Sequence, residues 1–170
     1  MRVLIQSFLF VYLLFTWTCT TPPEYPIEPV IEFIAFEKDT LNQGESKNVD
    51  FVYLILSFTD GDGDLGPEAG VEDTIKSIVM TDTRTGVSEN QFDLPEISDK
   101  GASNGISGEI TIKVPTTCCI FPPEITDVSG PCDDSQEYPV DQVEWEIYLV
   151  DRAGNESNKL ILPPMNLRCN

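Results

Sequence analysis

The sequence predicts an all-β protein built as a single antiparallel β-sandwich of about seven strands. From residue 30 onward the apolar residues recur with a period of two, and no segment sustains the 3.6-residue period of an amphipathic helix. Residues typical of turns, namely Gly, Pro, Asp and Asn, separate these short apolar runs. The chain has 170 residues and no internal repeat, which suits one domain with appendages. Together these observations favour two stacked antiparallel sheets.

Seven segments carry the strand pattern. The second is the most apolar, which is typical of a strand covered on both faces. The sixth alternates most cleanly, because Glu144 and Glu146 separate inward apolar residues. In chain order the predicted strands are Val30–Phe36, Asn48–Phe58, Thr74–Thr83, Ser88–Leu94, Ser107–Val114, Gln142–Val150 and Asn158–Leu162.

The N-terminal residues 1–18 are predicted to be a signal peptide. Arg2 precedes the apolar stretch Phe8–Trp17, which has the length of a signal-peptide core and is shorter than the roughly 20 residues of a transmembrane helix. Because Cys19 follows directly, the segment resembles a bacterial lipoprotein signal, in which this cysteine becomes the lipidated first residue. Thr16 and Thr18 stand where that motif prefers Leu and a small residue. An ordinary secretory peptide and an uncleaved anchor are therefore kept as alternatives.

A Pro-rich stretch follows the cysteine and extends to residue 29. Such a stretch adopts an extended polyproline conformation of about 3.1 Å per residue, so residues 19–29 would span on the order of 30 Å. The resemblance implies a lipidated Cys19, a tether at 19–29, and a folded domain at 30–170 that is held off a membrane.

Two segments of the body carry a second resemblance. The sequences SFTDGDGDLG at 57–66 and VDRAGNES at 150–157 each follow a predicted strand. Both resemble strand-end motifs of immunoglobulin-like, or fibronectin-III-like, domains in Bacteroidota-type outer-membrane lipoproteins, and the resemblance covers roughly residues 28–163. It implies an immunoglobulin-like β-sandwich that is lipid-anchored to the outer membrane, at the cell surface or the periplasmic face. It also implies an outer-membrane β-barrel protein, or its complex, as the partner.

The charge balance excludes several classes of function. The chain carries 29 Asp and Glu residues against 10 Lys and Arg residues and has no histidine, which gives a net charge of −19. This charge repels phosphate backbones, so nucleic acid is excluded as a partner. Without histidine there is no Ser-His or Cys-His catalysis and no His-ligated zinc or haem. The sequence therefore predicts a protein that is not an enzyme and has no catalytic residues.

An acidic loop is the candidate metal site. Asp60, Asp62 and Asp64 alternate with glycines, and oxygen ligands at every second position can curl around one hard cation. An EF-hand is excluded, because Leu65 and Val71 occupy the positions that require Gly and Glu.

Topology adds further ligands to this loop. In an immunoglobulin-type sandwich the loops after the second and the penultimate strand lie at the same end, which brings Asp151 and Asn155 toward the acidic loop, with Asp99 within reach. Carboxylates that converge in this way repel one another unless a cation is present. We therefore expect a structural Ca²⁺ site. The alternative is a solvated turn, with Asp151 opening an Asx turn ahead of Gly154.

Four cysteines remain after the predicted signal, and an even number in an exported chain predicts disulfides. A bridge between adjacent cysteines is strained, so one of the first two is expected to join the third and the other to join the fourth. Zinc and redox sites would need a CxxC spacing that is absent. The pairing would cross-link the long loop 115–141 to the C-terminus, at the end opposite the acidic loop. The cysteines are Cys118, Cys119, Cys132 and Cys169.

The expected function is that of a non-catalytic, membrane-anchored accessory subunit of an outer-membrane β-barrel complex. Ile120 and Phe121 within the long loop form the predicted partner-binding surface, since long loops on rigid scaffolds often carry binding. The alternative is a carbohydrate-binding or adhesin-like module of a glycan-capture system, which would use exposed aromatic residues. A hydrolase with paired carboxylates is the weakest alternative.

Overall fold

The computed structural model describes residues 24–45, 49–67, 77–94 and 105–170 as strands joined by turns and loops. None of these described residues forms a helix of the length and apolarity that a membrane crossing requires. The strands are β1 (Val30–Phe36), β2 (Thr40–Asn42), β3 (Phe51–Asp60), β4 (Ile78–Asp82), β5 (Val87–Phe92), β6 (Ile106–Pro115), β7 (Val140–Val143), β8 (Trp145–Leu149), β9 (Leu160–Ile161) and β10 (Met165–Arg168).

The strands form three sheets, with orders β1–β3–β6, β2–β10–β7 and β5–β4–β8–β9. The longest pairing joins β3 to β6 in an unbroken antiparallel register from Phe51↔Pro115 to Asp60↔Ile106. Among the described strands every pairing is antiparallel except that of β10 with β2, which is parallel. Because β7 and β8 are separated only by Glu144, one chain segment passes from the second sheet into the third.

The apolar faces of the three sheets meet in one core. The period of two places alternate residues of β3 inside, and the same alternation runs unbroken through β7 and β8. Trp145, at the passage between two sheets, is 2% exposed and is the largest fully buried side chain. The buried apolar members of these strands are Val52, Leu54, Leu56, Phe58, Val143, Trp145, Ile147 and Leu149.

One side-chain amide closes the side of the structure where β1 and β9 approach each other. The backbone N–H of Ile31 donates to Oδ1 of Asn158 (2.8 Å), and Nδ2 of Asn158 donates to the carbonyl oxygen of Ile31 (3.0 Å). The amide thus replaces a strand partner for β1, and it links the first sheet to the segment that precedes β9.

The prediction of an all-β protein is confirmed, whereas a single sandwich of about seven strands is not, because the described residues form ten strands in three sheets. The number is larger because the sixth predicted segment divides at Glu144 and because two short strands, β2 and β10, lie outside every predicted segment. Three or four residues are too few to show a period of two. The predicted wholly antiparallel arrangement is also wrong, because the same two short strands, β2 and β10, pair in parallel.

Two disulfides tie the long loop to the rest of the molecule. Cys118 pairs with Cys132 and Cys119 pairs with Cys169. This selects one of the two pairings that the sequence left open. Since Cys119 and Cys169 are both buried, the second bridge joins the loop and the C-terminus to the core.

The two ends of the segment β7–β8 carry inward-facing acids. The buried carboxylate of Asp141 precedes the apolar residues of the segment and that of Asp151 follows them. A strand of this length spans roughly 30 Å at about 3.3 Å per residue. The long loop 115–141 ends at Asp141 and begins at Pro115, which pairs with the end of β3 remote from Asp60, so it lies opposite the acidic residues Asp60 and Asp151.

Candidate metal centre

Two core strands lead to an aspartate that points inward. In β3 the buried alternation reaches Phe58 and then Asp60, and beyond the end of β8 it continues from Leu149 to Asp151. Asp60 is 0% exposed and Asp151 is 1% exposed. Because the two strands belong to different sheets and end on the same side, their carboxylates face each other across the edge of the core.

The loop after β3 folds back onto Asp60. The N–H of Leu65 donates to Oδ2 of Asp60 (3.1 Å), and the Leu65 side chain is completely buried. Gly63 has a φ of +73°, a backbone conformation that side chains rarely adopt. The buried leucine and this glycine curl the loop, so that Asp62 and Asp64 turn toward Asp60.

The loop after β8 is tied to the first loop by backbone groups. The N–H of Ala153 donates to Oδ2 of Asp64 (3.0 Å), and the N–H of Arg152 donates to the carbonyl oxygen of Asp64 (3.3 Å). Within the second loop, Asn155 donates its backbone N–H (2.7 Å) and its Nδ2 (2.8 Å) to the carboxylate of Asp151. The loop after β8 thus supplies the donors that hold both Asp64 and Asp151 in place.

Four carboxylates converge as a result. Asp60, Asp62, Asp64 and Asp151 each offer one oxygen, and these oxygens all lie within 4.8 Å of one another. Two buried oxygens in the cluster, Oδ1 of Asp60 and Oδ1 of Asp64, accept no hydrogen bond. A buried acceptor without a partner is costly, so the arrangement is one that could hold a metal ion.

The electrostatics of the cluster agree with this geometry. Burial, together with the neighbouring charges of Asp62, Asp64 and Asp151, raises the pKa of Asp60 to about 6 although the hydrogen bond from Leu65 lowers it. Burial and the charges of Asp151 and Asp62 also raise the pKa of Asp64. Such shifts mean that the assembled carboxylates favour a bound proton or cation.

The structure brings together four of the six predicted metal-site residues. Asn155 lies beside them and donates to Asp151, so its observed part is to orient that carboxylate. Asp99 lies outside the described residues. The sequence reasoning missed Leu65, whose N–H and buried side chain shape the loop. A single apolar residue directly after a run of acids and glycines is the signal that could have found it.

The predicted partner-binding residues differ in exposure. Ile120 is 44% exposed. Phe121 is partly buried against the core, and its ring contacts that of Tyr138 at a centroid distance of 6.0 Å, so less of its side chain is available to a partner. The lipidation site Cys19 and the predicted signal at 1–18 lie outside the described residues, and the predicted tether is described only from Glu24.

The loop that carries Ile120 is anchored by a buried polar cluster. Asp141 accepts hydrogen bonds from the N–H of Ile120 (2.9 Å) and the hydroxyl of Tyr138 (3.1 Å). Its carboxylate also pairs with the guanidinium of Arg84 (2.7 Å), which forms a second ion pair with Asp82 (2.6 Å). Charge-assisted bonds of this kind fix the start of the loop against the β4–β5 hairpin.

Comparison with known proteins adds no relative, since no family model, no curated protein and no solved structure matches this chain.

Proposed function

We propose that this protein is a non-catalytic Ca²⁺-binding domain in which the ion joins the loops that follow β3 and β8. The observation that carries the proposal is the Oδ1 atom of Asp60. It is buried, accepts no hydrogen bond, and belongs to a set of four carboxylate oxygens within 4.8 Å of one another. A cation at this point would supply the missing partner and would offset the mutual repulsion of the acids.

The donor set supports Ca²⁺ over other metals. All four side chains offer oxygen, which hard cations prefer, and the chain has no histidine to favour zinc or copper. Mg²⁺ is usually bound through one or two carboxylates and keeps several waters, whereas Ca²⁺ takes six to eight oxygen ligands. A set of four converging carboxylates therefore favours Ca²⁺.

The carboxylates are already oriented for one-oxygen coordination. Asp60 has its Oδ2 occupied by the N–H of Leu65, and Asp64 has its Oδ2 occupied by the N–H of Ala153. Each therefore has its Oδ1, which accepts no hydrogen bond, available to the ion. A carboxylate that is fixed before binding loses little conformational freedom when the ion arrives, which favours binding.

The experiment is a direct binding measurement on protein stripped with EDTA. Equilibrium dialysis with Ca²⁺ is expected to give one bound ion per chain, and Asp60→Asn is expected to remove it. Asp134→Asn is the matched control, because Asp134 is exposed and lies in the disulfide-linked loop at the other end of the molecule. Absence of binding at millimolar Ca²⁺ would overturn the proposal.

We further propose that the domain is an immunoglobulin-like β-sandwich of a Bacteroidota-type outer-membrane lipoprotein, anchored through Cys19. The two strand-end motifs and the cysteine after the apolar N-terminal stretch support this. Cys19→Ser is the test, since it should move the protein from the membrane fraction to the soluble fraction. An unchanged distribution would contradict the anchor.

The partner proposed for the anchored domain is an outer-membrane β-barrel protein, contacted through the loop 115–141. Two disulfides and Asp141 fix this loop, and Ile120 remains 44% exposed on it. A pull-down from detergent-solubilised membranes should recover a β-barrel protein in stoichiometric amount, and Ile120→Asp should reduce the yield. Retention that depends on glycans would instead support the carbohydrate-binding alternative.

A further inference from the structure

A segment from the N-terminal side of the chain crosses the acidic loop directly. The N–H of Gly61 donates to the carbonyl oxygen of Pro26 (2.7 Å). A Cβ atom added at Gly61 would lie 2.4 Å from the carbonyl oxygen of Tyr25 and 2.5 Å from that of Pro26. The segment Tyr25–Pro26 therefore lies against the peptide between Asp60 and Asp62, at a distance that only glycine permits.

A second glycine, Gly105, lies close to both Gly61 and Tyr25. Gly105, directly before β6, has a φ of +76°. A Cβ atom there would lie 2.6 Å from the carbonyl oxygen of Asp60, 3.0 Å from the Tyr25 ring and 3.1 Å from the Cα atom of Gly61. Three separate parts of the chain thus meet at one point of the proposed site, with no side-chain volume between them.

We propose that the segment Tyr25–Pro26 is the third element of the cation site, and that binding of the cation and docking of this segment are coupled. The inference rests on the proposed Ca²⁺ site. It adds that the ion does more than join two loops: it also holds the segment by which the chain enters β1.

The coupling follows from the position of Gly61. Gly61 lies between two of the converging aspartates, Asp60 and Asp62. An ion that fixes these two residues therefore also fixes the Gly61 N–H, which donates to the carbonyl oxygen of Pro26. A docked segment in turn restricts the same peptide before the ion binds. Because coupling between two sites is reciprocal, each event strengthens the other by the same factor, about tenfold for a contact of this size.

The first measurement uses the native full-length chain and Ca²⁺ alone. Hydrogen exchange of the Gly61 N–H, the donor that bonds to the carbonyl oxygen of Pro26, is followed by NMR spectroscopy with EDTA or with saturating Ca²⁺. Exchange of this N–H is expected to slow about tenfold when Ca²⁺ is present. Equal exchange rates in a chain that binds Ca²⁺ would overturn the coupling and leave the proposed cation site standing.

Two variants test the reverse direction. Gly61→Ala forces the segment away, and Tyr25→Ala removes the ring beside Gly105 without altering any carboxylate. Both are expected to raise the Ca²⁺ dissociation constant, Gly61→Ala by about tenfold. Gly130→Ala is the matched control, because its added Cβ meets only a carboxylate oxygen of Asp133 at 4.0 Å.

The outcomes are distinguishable. If Tyr25→Ala and Gly61→Ala bind Ca²⁺ as tightly as the native chain, the coupling is wrong and the site is not. If the native chain binds no Ca²⁺, both the site and the coupling are wrong. If Gly61→Ala does not fold, the exchange measurement on the native chain and the affinity of Tyr25→Ala decide the matter.

Discussion

Replacing Asp60 with Asn is expected to stabilise the calcium-free protein, although Asp60 is a buried core-strand residue. Asn has nearly the same shape, and its oxygen can still accept the N–H of Leu65. Its NH₂ group would then point at the other carboxylates, where an acceptor now lacks a donor. The substitution exchanges an unfavourable buried charge for a neutral group that can donate.

The size of the effect follows from the raised pKa. The pKa of Asp60 is about 6 in the folded protein and 3.8 in the unfolded chain. A shift of this size corresponds to roughly 3 kcal/mol of destabilisation when the carboxylate is ionised, at about 1.4 kcal/mol per pKa unit. For a chain of this length, a gain of that size raises Tm by roughly 6–12 °C.

The assay is thermal unfolding at pH 7.5 of the native chain, Asp60→Asn and the control Asp134→Asn. In EDTA, Asp60→Asn should melt above the native protein, and the control should stay within about 0.5 kcal/mol of it. In millimolar Ca²⁺ only the native protein and the control should gain stability. A lower Tm for Asp60→Asn in EDTA, or an equal gain from Ca²⁺, would refute the reasoning.

Two further predictions concern pH and the disulfides. The folded pKa of Asp60 is raised, so in EDTA its penalty is absent below pH 3.8 and complete above about pH 6. In EDTA the stability of Asp60→Asn relative to the native chain, measured by calorimetry, should therefore increase as pH rises through this window, and a difference that does not change with pH would contradict the shift. Replacing Cys119 and Cys169 with Ser should cost about 4 kcal/mol in denaturant unfolding, against about 3 kcal/mol for Cys118 and Cys132, because the bridges close separations of 50 and 14 residues. The reverse order would contradict the loop-closure argument.

The candidate site was predictable because the period of two does not stop where the apolar residues stop. Counting inward positions along β3 leads from Phe58 to Asp60, and along β8 from Leu149 to Asp151. Once both strands were assigned to facing layers, the two acids had to meet. The sequence pattern therefore predicts that these two acids point inward, and the DGDGD spacing predicts that Asp62 and Asp64 lie near them.

What the sequence could not predict depends on contacts between distant parts of the chain. The parallel pairing of β2 with β10 joins segments more than 120 residues apart and leaves no local pattern in either. Local pattern also gives no reason for Tyr25–Pro26 to cross the acidic loop, because the two residues contact Gly61 through their backbone carbonyl groups. The choice of Cys118 over Cys119 as the partner of Cys132 likewise depends on how the loop folds.

The bridge between Cys119 and Cys169 has a mechanical consequence. When the molecule is pulled by its two ends, the covalent path passes from Cys119 to Cys169 through the sulfur atoms, across a separation of 50 residues. At about 3.4 Å per residue, roughly 170 Å of chain, including β7 to β10, cannot be drawn out. Under tension the oxidised protein can extend only through the part of the chain that precedes Cys119. Reducing agents should therefore increase the contour length gained on unfolding in a force-spectroscopy trace by that amount.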